Sequence, residues 1–261
     1  MRNLILGATL AMTVGLAQAA VKEVPVTYKD GVTTLKGFVV YDDANRAKRP
    51  GVLVVPEWWG ITKHTHGEAK RLAGLGYTAF IVDMYGDGKT GSNAAEATAL
   101  MSAAVADPKA LEARLQAACD RVGSQPTVDP AKIAAIGYCF GGAVVLHAAR
   151  VGMPLKAVVS FHGSLGSFHK PAPGSVKAKI LICHGAADAL VPEDQIAAFK
   201  AEMDAAGADY RFVAYPGALH GFTNPEADAR GKENGLPLGY DAKADAQSWR
   251  DMQELFAKVF A

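Results

Sequence analysis

The chain has 261 residues, 50% of them hydrophobic and 20% charged, which is too apolar for a disordered chain. Lys and Arg number 27 and Asp and Glu 26, for a formal net charge of +1. That balance excludes the concentrated basic face that a nucleic-acid or anionic-membrane binder needs, and three cysteines are too few for a disulfide framework.

The first elements in chain order concern address rather than fold. Arg2 starts a short positive end, Leu4 to Leu16 is apolar and uncharged, and Ala17-Gln18-Ala19 places small residues where a signal peptidase reads. This layout predicts a secretory signal peptide over residues 1–19, cleavage near Ala19, and an exported protein, periplasmic or secreted. No cysteine follows the run, so no lipid anchor is expected. No later stretch is long and apolar enough to span a membrane, so stable membrane association is not expected. Residues 20–261 then form a single domain.

Val24–Tyr28 and Leu35–Tyr41 flank Asp30-Gly31, the pattern of a hairpin. Short apolar runs follow at 51–56, 77–83, 132–137, 157–161, 179–183 and 210–215, each fit for a strand buried on both faces. Helical segments lie between them. Thr65 to Glu68 has capping-box spacing and opens a helix ending near Gly74 or Gly76. Helices are also predicted over 93–105, from Asp107-Pro108 to about Val122, and over 141–150, 193–206 and 242–260. Segments 163–176 and 217–238 read as turn-rich loops. Strand and helix in alternation predict an α/β fold, a mostly parallel central sheet with helices on both faces. Loops at the carboxyl ends of such strands form the ligand crevice.

The sharpest motif is Gly137-Tyr138-Cys139-Phe140-Gly141-Gly142, between an apolar strand and a helix of small residues. It is a nucleophile elbow with Cys139 in place of serine. The glycines allow a tight turn that lifts the side chain clear, and a helix amino terminus beneath the sulfur favours thiolate. Asp188 follows the strand at 179–183, and His220 follows the strand at 210–215. Nucleophile, acid and histidine thus occur in α/β-hydrolase order. In that arrangement His220 handles protons and Asp188 fixes its tautomer. The oxyanion would be held by the N–H groups of Phe140 and of Trp58. Glu57 should lie close to the sulfur, where a carboxylate raises the cost of a thiolate. Trp59 and its neighbour suit an apolar pocket wall.

These motifs, with Asp83-Met84-Tyr85, His184-Gly185 and His220-Gly221-Phe222, make the chain resemble the dienelactone hydrolase (carboxymethylenebutenolidase-like) family of thiol-using α/β-hydrolases over most of its length. The resemblance implies the α/β-hydrolase fold. It also implies hydrolysis of small esters or lactones through an acyl-thiol intermediate, with no metal and no organic cofactor. It further implies that Glu57 engages Cys139 and that Trp59, Tyr85 and Phe222 contact substrate. Two arginines that clamp the carboxylate of dienelactone in the family are replaced by Gly86-Asp87 and Thr223-Asn224. A carboxylate clamp is therefore missing and Asp87 would repel an anion, so neutral esters or lactones are the expected substrates.

Other signals carry less. Gly86 to Gly91 lacks the glycine a phosphate loop needs, and neither H-E-x-x-H nor C-x-x-C occurs. No metal site is expected, Cys119 and Cys183 read as small buried residues, the expected partner is a small-molecule ester or lactone substrate, and the protein is expected to be a monomer. The competing reading is a non-catalytic or redox-active binding protein on the same fold.

Overall fold

A computed structural model describes residues 21–44, 46–167 and 169–261. The leader expected over residues 1–19 lies outside the described residues. The apolar runs form strands β1 (Val21–Lys29), β2 (Thr34–Asp42), β3 (Arg49–Val55), β4 (Thr78–Ile81), β5 (Val128–Tyr138), β6 (Ala157–Phe161), β7 (Lys179–Gly185) and β8 (Tyr210–Tyr215). They assemble in the order β1-β2-β4-β3-β5-β6-β7-β8. β1 pairs with β2, and β2 with β4, antiparallel. All later pairings are parallel.

Period-two alternation divides the central strands between two cores. Leu53 and Val55 face one apolar cluster, and Val52 and Val54 the other. The first is covered by α2 (Ala94–Val105), α3 (Pro108–Gly123), α4 (Phe140–Arg150) and α5 (Glu193–Ala205), through residues such as Ala104, Leu115, Val144 and Phe199. The second is covered by α1 (Lys63–Gly74) and α7 (Ala242–Val259), through Leu72, Met252 and Phe256. This is the expected sheet with helices on both faces. Cys119 and Cys183 are buried free thiols that belong to different cores.

Two local expectations need correction. α1 opens one turn earlier than the Thr65–Glu68 spacing implies. Its N-cap is Thr62, whose N–H donates to Thr65 Oγ1 at 3.4 Å, while Glu68 is buried on Arg71 and Tyr138. Segment 217–238 is not all loop. It contains α6 (Ala227–Asn234), ended by Gly235 in the left-handed region at φ 65°.

The topology fixes the crevice. The chain leaves β3 toward β4 on one side, and β5 lies on the other, with Val55 opposite Gly137. The carboxyl ends of β3 and β5 therefore diverge side by side, the switch point at which open α/β sheets bind ligands.

Candidate active site

Cys139 sits where β5 ends and α4 begins, with φ 53° and ψ −115°. A β-carbon-bearing residue adopts positive φ at a cost of order 1–3 kcal/mol, which the surroundings must enforce. The flanking glycines show how. A β-carbon on Gly137 would lie 2.0 Å from the Gly141 carbonyl oxygen, and one on Gly141 2.2 Å from that of Val55. Only with both side chains absent can α4 start this close to the sheet. The Cys139 N–H donates to the Phe161 carbonyl at 3.0 Å, which ties the turn to β6.

His220 arrives in the loop after β8 and Asp188 in the turn after β7, both buried. His220 Nδ1 lies 2.8 Å from Asp188 Oδ2. The other carboxylate oxygen, Oδ1, accepts from the Leu190 N–H at 2.9 Å, so Asp188 holds its own turn as well as the imidazole. The N-cap of α5 is Pro192 rather than Asp188. The His220 loop is fixed from behind: its carbonyl accepts from the Gly239 N–H at 3.1 Å. His220 Nε2 is buried without a hydrogen-bond partner of ordinary geometry. Burial alone would depress the imidazolium, but the facing Cys139 sulfur and the Asp188 carboxylate outweigh it and raise the pKa to about 10.

Cys139, Phe140, Trp58 and His220 share the wall of a cavity of about 510 Å³. The rest of the wall is apolar or small, with Met101, Val105, Leu190, Leu236 and Leu238 prominent and, among the described residues, no Lys, Arg, Asp or Glu. Such a cavity suits an uncharged, mainly apolar ligand of modest size. Phe140 is the first residue of α4, where backbone N–H groups have no intrahelical acceptor.

The remaining sequence-selected residues fall around this centre. Tyr85 does not line the cavity; its hydroxyl donates to the Trp58 carbonyl at 2.8 Å and its ring stacks on Phe140 at 5.8 Å. It thus braces both residues chosen as oxyanion donors. Burial pushes its phenol well up, so it stays a donor. Phe222 is fully buried between His162 and Tyr215, a core residue rather than a cavity one. Trp59 is buried against Trp58, with the Arg230 guanidinium 4.9 Å from its ring centroid. Asp83 organises the following loop by accepting from the N–H groups of Lys36, Tyr85, Gly86 and Gly88. Asp87 is exposed and 3.5 Å from Lys36; it does not line the cavity, so the expected repulsion of anions does not arise from it.

Glu57 is buried, and its Oε2 accepts from Asn224 Nδ2 at 2.9 Å and lies 3.8 Å from His64 Nδ1. Glu57 and Cys139 line one small cavity of about 20 Å³, together with Asn224 and Arg230. Thr223 Oγ1 pairs with His162 Nε2 at 2.9 Å. Burial, with His220 and His64 nearby, holds His162 well below its usual pKa, and so neutral. Thr223 and Asn224, at the second position of the expected carboxylate clamp, thus serve internal polar groups. The sequence reading took Asn224 only as the replacement of a clamp arginine and missed Arg230. Asn224 is 167 residues from Glu57, and Arg230 lies on the unforeseen α6. Among the described residues no group of three or more His, Cys, Asp or Glu is placed to hold a metal ion.

Fold and site together define a hydrolase of the α/β-hydrolase class. Residues 35–260 match the profile of the Dienelactone hydrolase family, and the chain belongs to that family. A carboxymethylenebutenolidase homologue of Yersinia pestis is 28% identical over 235 residues, 86% of this chain and 84% of its own. The crystal structure of a dienelactone hydrolase-like promiscuous phosphotriesterase from metagenomic libraries is similar at 38% identity and a TM-score of 0.84, covering 92% of this chain and 99% of that one. A dienelactone hydrolase homologue from Klebsiella pneumoniae follows at 25% identity, a TM-score of 0.74, and 91% and 99% coverage.

Proposed function

We propose that the protein hydrolyses small neutral esters or lactones through Cys139, by way of an acyl-thioester. The observation that carries this reading is the strained Cys139 at the head of α4, on a common wall with a His220 that Asp188 holds at 2.8 Å. The Cys139 sulfur attacks the carbonyl carbon, and its proton passes to His220 Nε2, directly or before substrate arrives. The Phe140 and Trp58 N–H groups receive the developing oxyanion. The imidazolium protonates the leaving oxygen, and a water then cleaves the thioester with His220 as base. Asp188 keeps Nδ1 protonated throughout.

The lack of Lys or Arg among the described residues of the large cavity's wall supports a neutral substrate, since a carboxylate there would lose its hydration without an ion-pair partner of its own, His220 being already paired with Cys139 and Asp188. The relative described as a promiscuous phosphotriesterase adds a neutral phosphotriester to the compounds worth testing. Export after cleavage near Ala19 completes the proposal, and intact mass of the protein recovered outside the cytoplasm tests it; a retained Met1 would contradict it.

The test of the chemistry is turnover of activated esters, lactones and a phosphotriester by wild type and Cys139→Ala. The reading expects wild-type turnover, its loss in the variant, and kcat/KM for a neutral ester roughly tenfold or more above that for an anionic one of equal size. Undiminished turnover by Cys139→Ala would overturn it.

A further inference from the structure

Cys139 and His220 line two cavities. The second, of about 20 Å³, shares Trp58 and Leu238 with the large one and adds Glu57, Trp59, Asn224, Ala227 and Arg230. Its character is different. The large cavity is lined mainly by apolar residues with Ser164 and Ser167, whereas the small one is lined by Glu57, Asn224 and Arg230 beside the same Cys139 and His220. About 10–15 Å³ by this measure admits one water, which then needs two to four polar partners. An acyl group, an alcohol or an amine requires more room. His220 Nε2, buried and facing the Cys139 sulfur, belongs to a residue on this wall. Glu57 Oε2 is held by Asn224 at 2.9 Å. Asn224 is itself fixed, because its Oδ1 accepts from the Glu226 N–H at 2.9 Å. Arg230 is braced by Glu226 at 3.2 Å and by the Trp59 ring.

We propose that this chamber seats the water that hydrolyses the acyl-enzyme, and that Asn224 is the residue that positions it, by holding the Glu57 carboxylate in place. The proposal rests on the Cys139 acyl-enzyme reading. In the step, the water oxygen bonds to the acyl carbon while His220 Nε2 takes one of its protons. The tetrahedral intermediate then collapses with cleavage of the carbon–sulfur bond. The thiolate leaves with the electron pair, and the imidazolium can return the proton to it. One water is consumed and one carboxylic acid released. Substrate and leaving group use the apolar cavity, and the chamber excludes larger acceptors. The enzyme therefore favours hydrolysis over acyl transfer.

Asn224→Asp is the discriminating variant. It preserves volume and the acceptor toward the Glu226 N–H, but turns an oxygen toward Glu57 where a donor stood. Two facing carboxylates repel, and a shared proton restores the contact. Glu57 is also faced by His64 from α1, by Arg230 from α6, and by Cys139 and His220 across the chamber; the variant leaves all four unchanged. Burst kinetics with an activated neutral ester separate acylation from deacylation, and intact mass reports the acyl adduct. At neutral pH the ratio of acylation to deacylation rate is expected to rise by about tenfold or more, with acyl-enzyme accumulating. The ratio returns toward wild type at mildly acidic pH, which a merely structural role would not produce. Ala227→Val fills the chamber while leaving Asn224 and Glu57 in place, and should also accumulate acyl-enzyme. An unchanged ratio in a folded variant, or a ratio that does not respond to pH in Asn224→Asp, overturns the proposal. A wild type that never carries an acyl group on Cys139 instead overturns the reading beneath it.

Discussion

Replacing Asp188 with asparagine changes almost no volume and removes one charge, yet the structure predicts a severe loss. Asp188 Oδ1 accepts from the Leu190 N–H and Oδ2 faces His220 Nδ1. The Leu190 N–H can only donate, so the asparagine must turn its oxygen there and its NH2 group toward Nδ1. Two donors cannot face each other. His220 then adopts the tautomer with Nδ1 bare and Nε2 protonated, and Nε2 can accept no proton from Cys139 or from water. The lost charge-assisted hydrogen bond to a buried imidazolium is worth about 1.5–3 kcal/mol, roughly ten- to a hundredfold in rate. Tautomer inversion adds to it; in the serine-protease triad the same exchange costs about 10⁴. We therefore expect kcat/KM on a neutral activated ester to fall by about 10³–10⁴ in a protein that still folds. Asp188→Ala, which imposes no tautomer, should fall less. A folded Asp188→Asn protein within about tenfold of wild type would refute the assignment of His220 as the proton carrier.

Three further outcomes follow from the same geometry. Gly141→Ala places a β-carbon 2.2 Å from the Val55 oxygen and 2.5 Å from that of Pro56, both backbone atoms, so calorimetry should show a loss of about 3 kcal/mol or more. The pKa of His220 is raised from 6.5 to about 10, so its contribution to stability is fully present below pH 6.5 and is lost as pH rises through about 10. Thermal unfolding across that window should decline in wild type and be flatter in Asp188→Asn. His162 is shifted the opposite way, so it contributes above its unfolded pKa, and stability should fall as pH drops below about 6.5.

Much of the fold was legible because burial leaves a period. The hairpin around Asp30-Gly31 and the β-branched runs of β3, β6 and β7 announce themselves, and β6 and β8 have the predicted bounds. β5 was read short at its start. It pairs with β3 from Val128, across a register shift at Pro50/Gly51 that an apolar-run criterion cannot see. α6 was missed for a related reason: only Ala227 and Gly231 are buried in it, so it packs through small residues and has no apolar stripe. The proposed reactive centre was legible as three residue types in a fixed chain order. Its surroundings were not. Motif position suggested that Tyr85 and Phe222 contact substrate, whereas their side chains pack beneath the wall. The partners of Glu57 come from α1 and from the loop before α6, a convergence that exists only after folding.

The most direct test of the central claim is a quench of wild-type protein during turnover of an activated neutral ester, followed by peptide mass mapping. The account predicts one acyl group, on Cys139, which disappears in Cys139→Ala together with turnover. An acyl group on another residue, or continued hydrolysis by Cys139→Ala with no adduct at all, would contradict it.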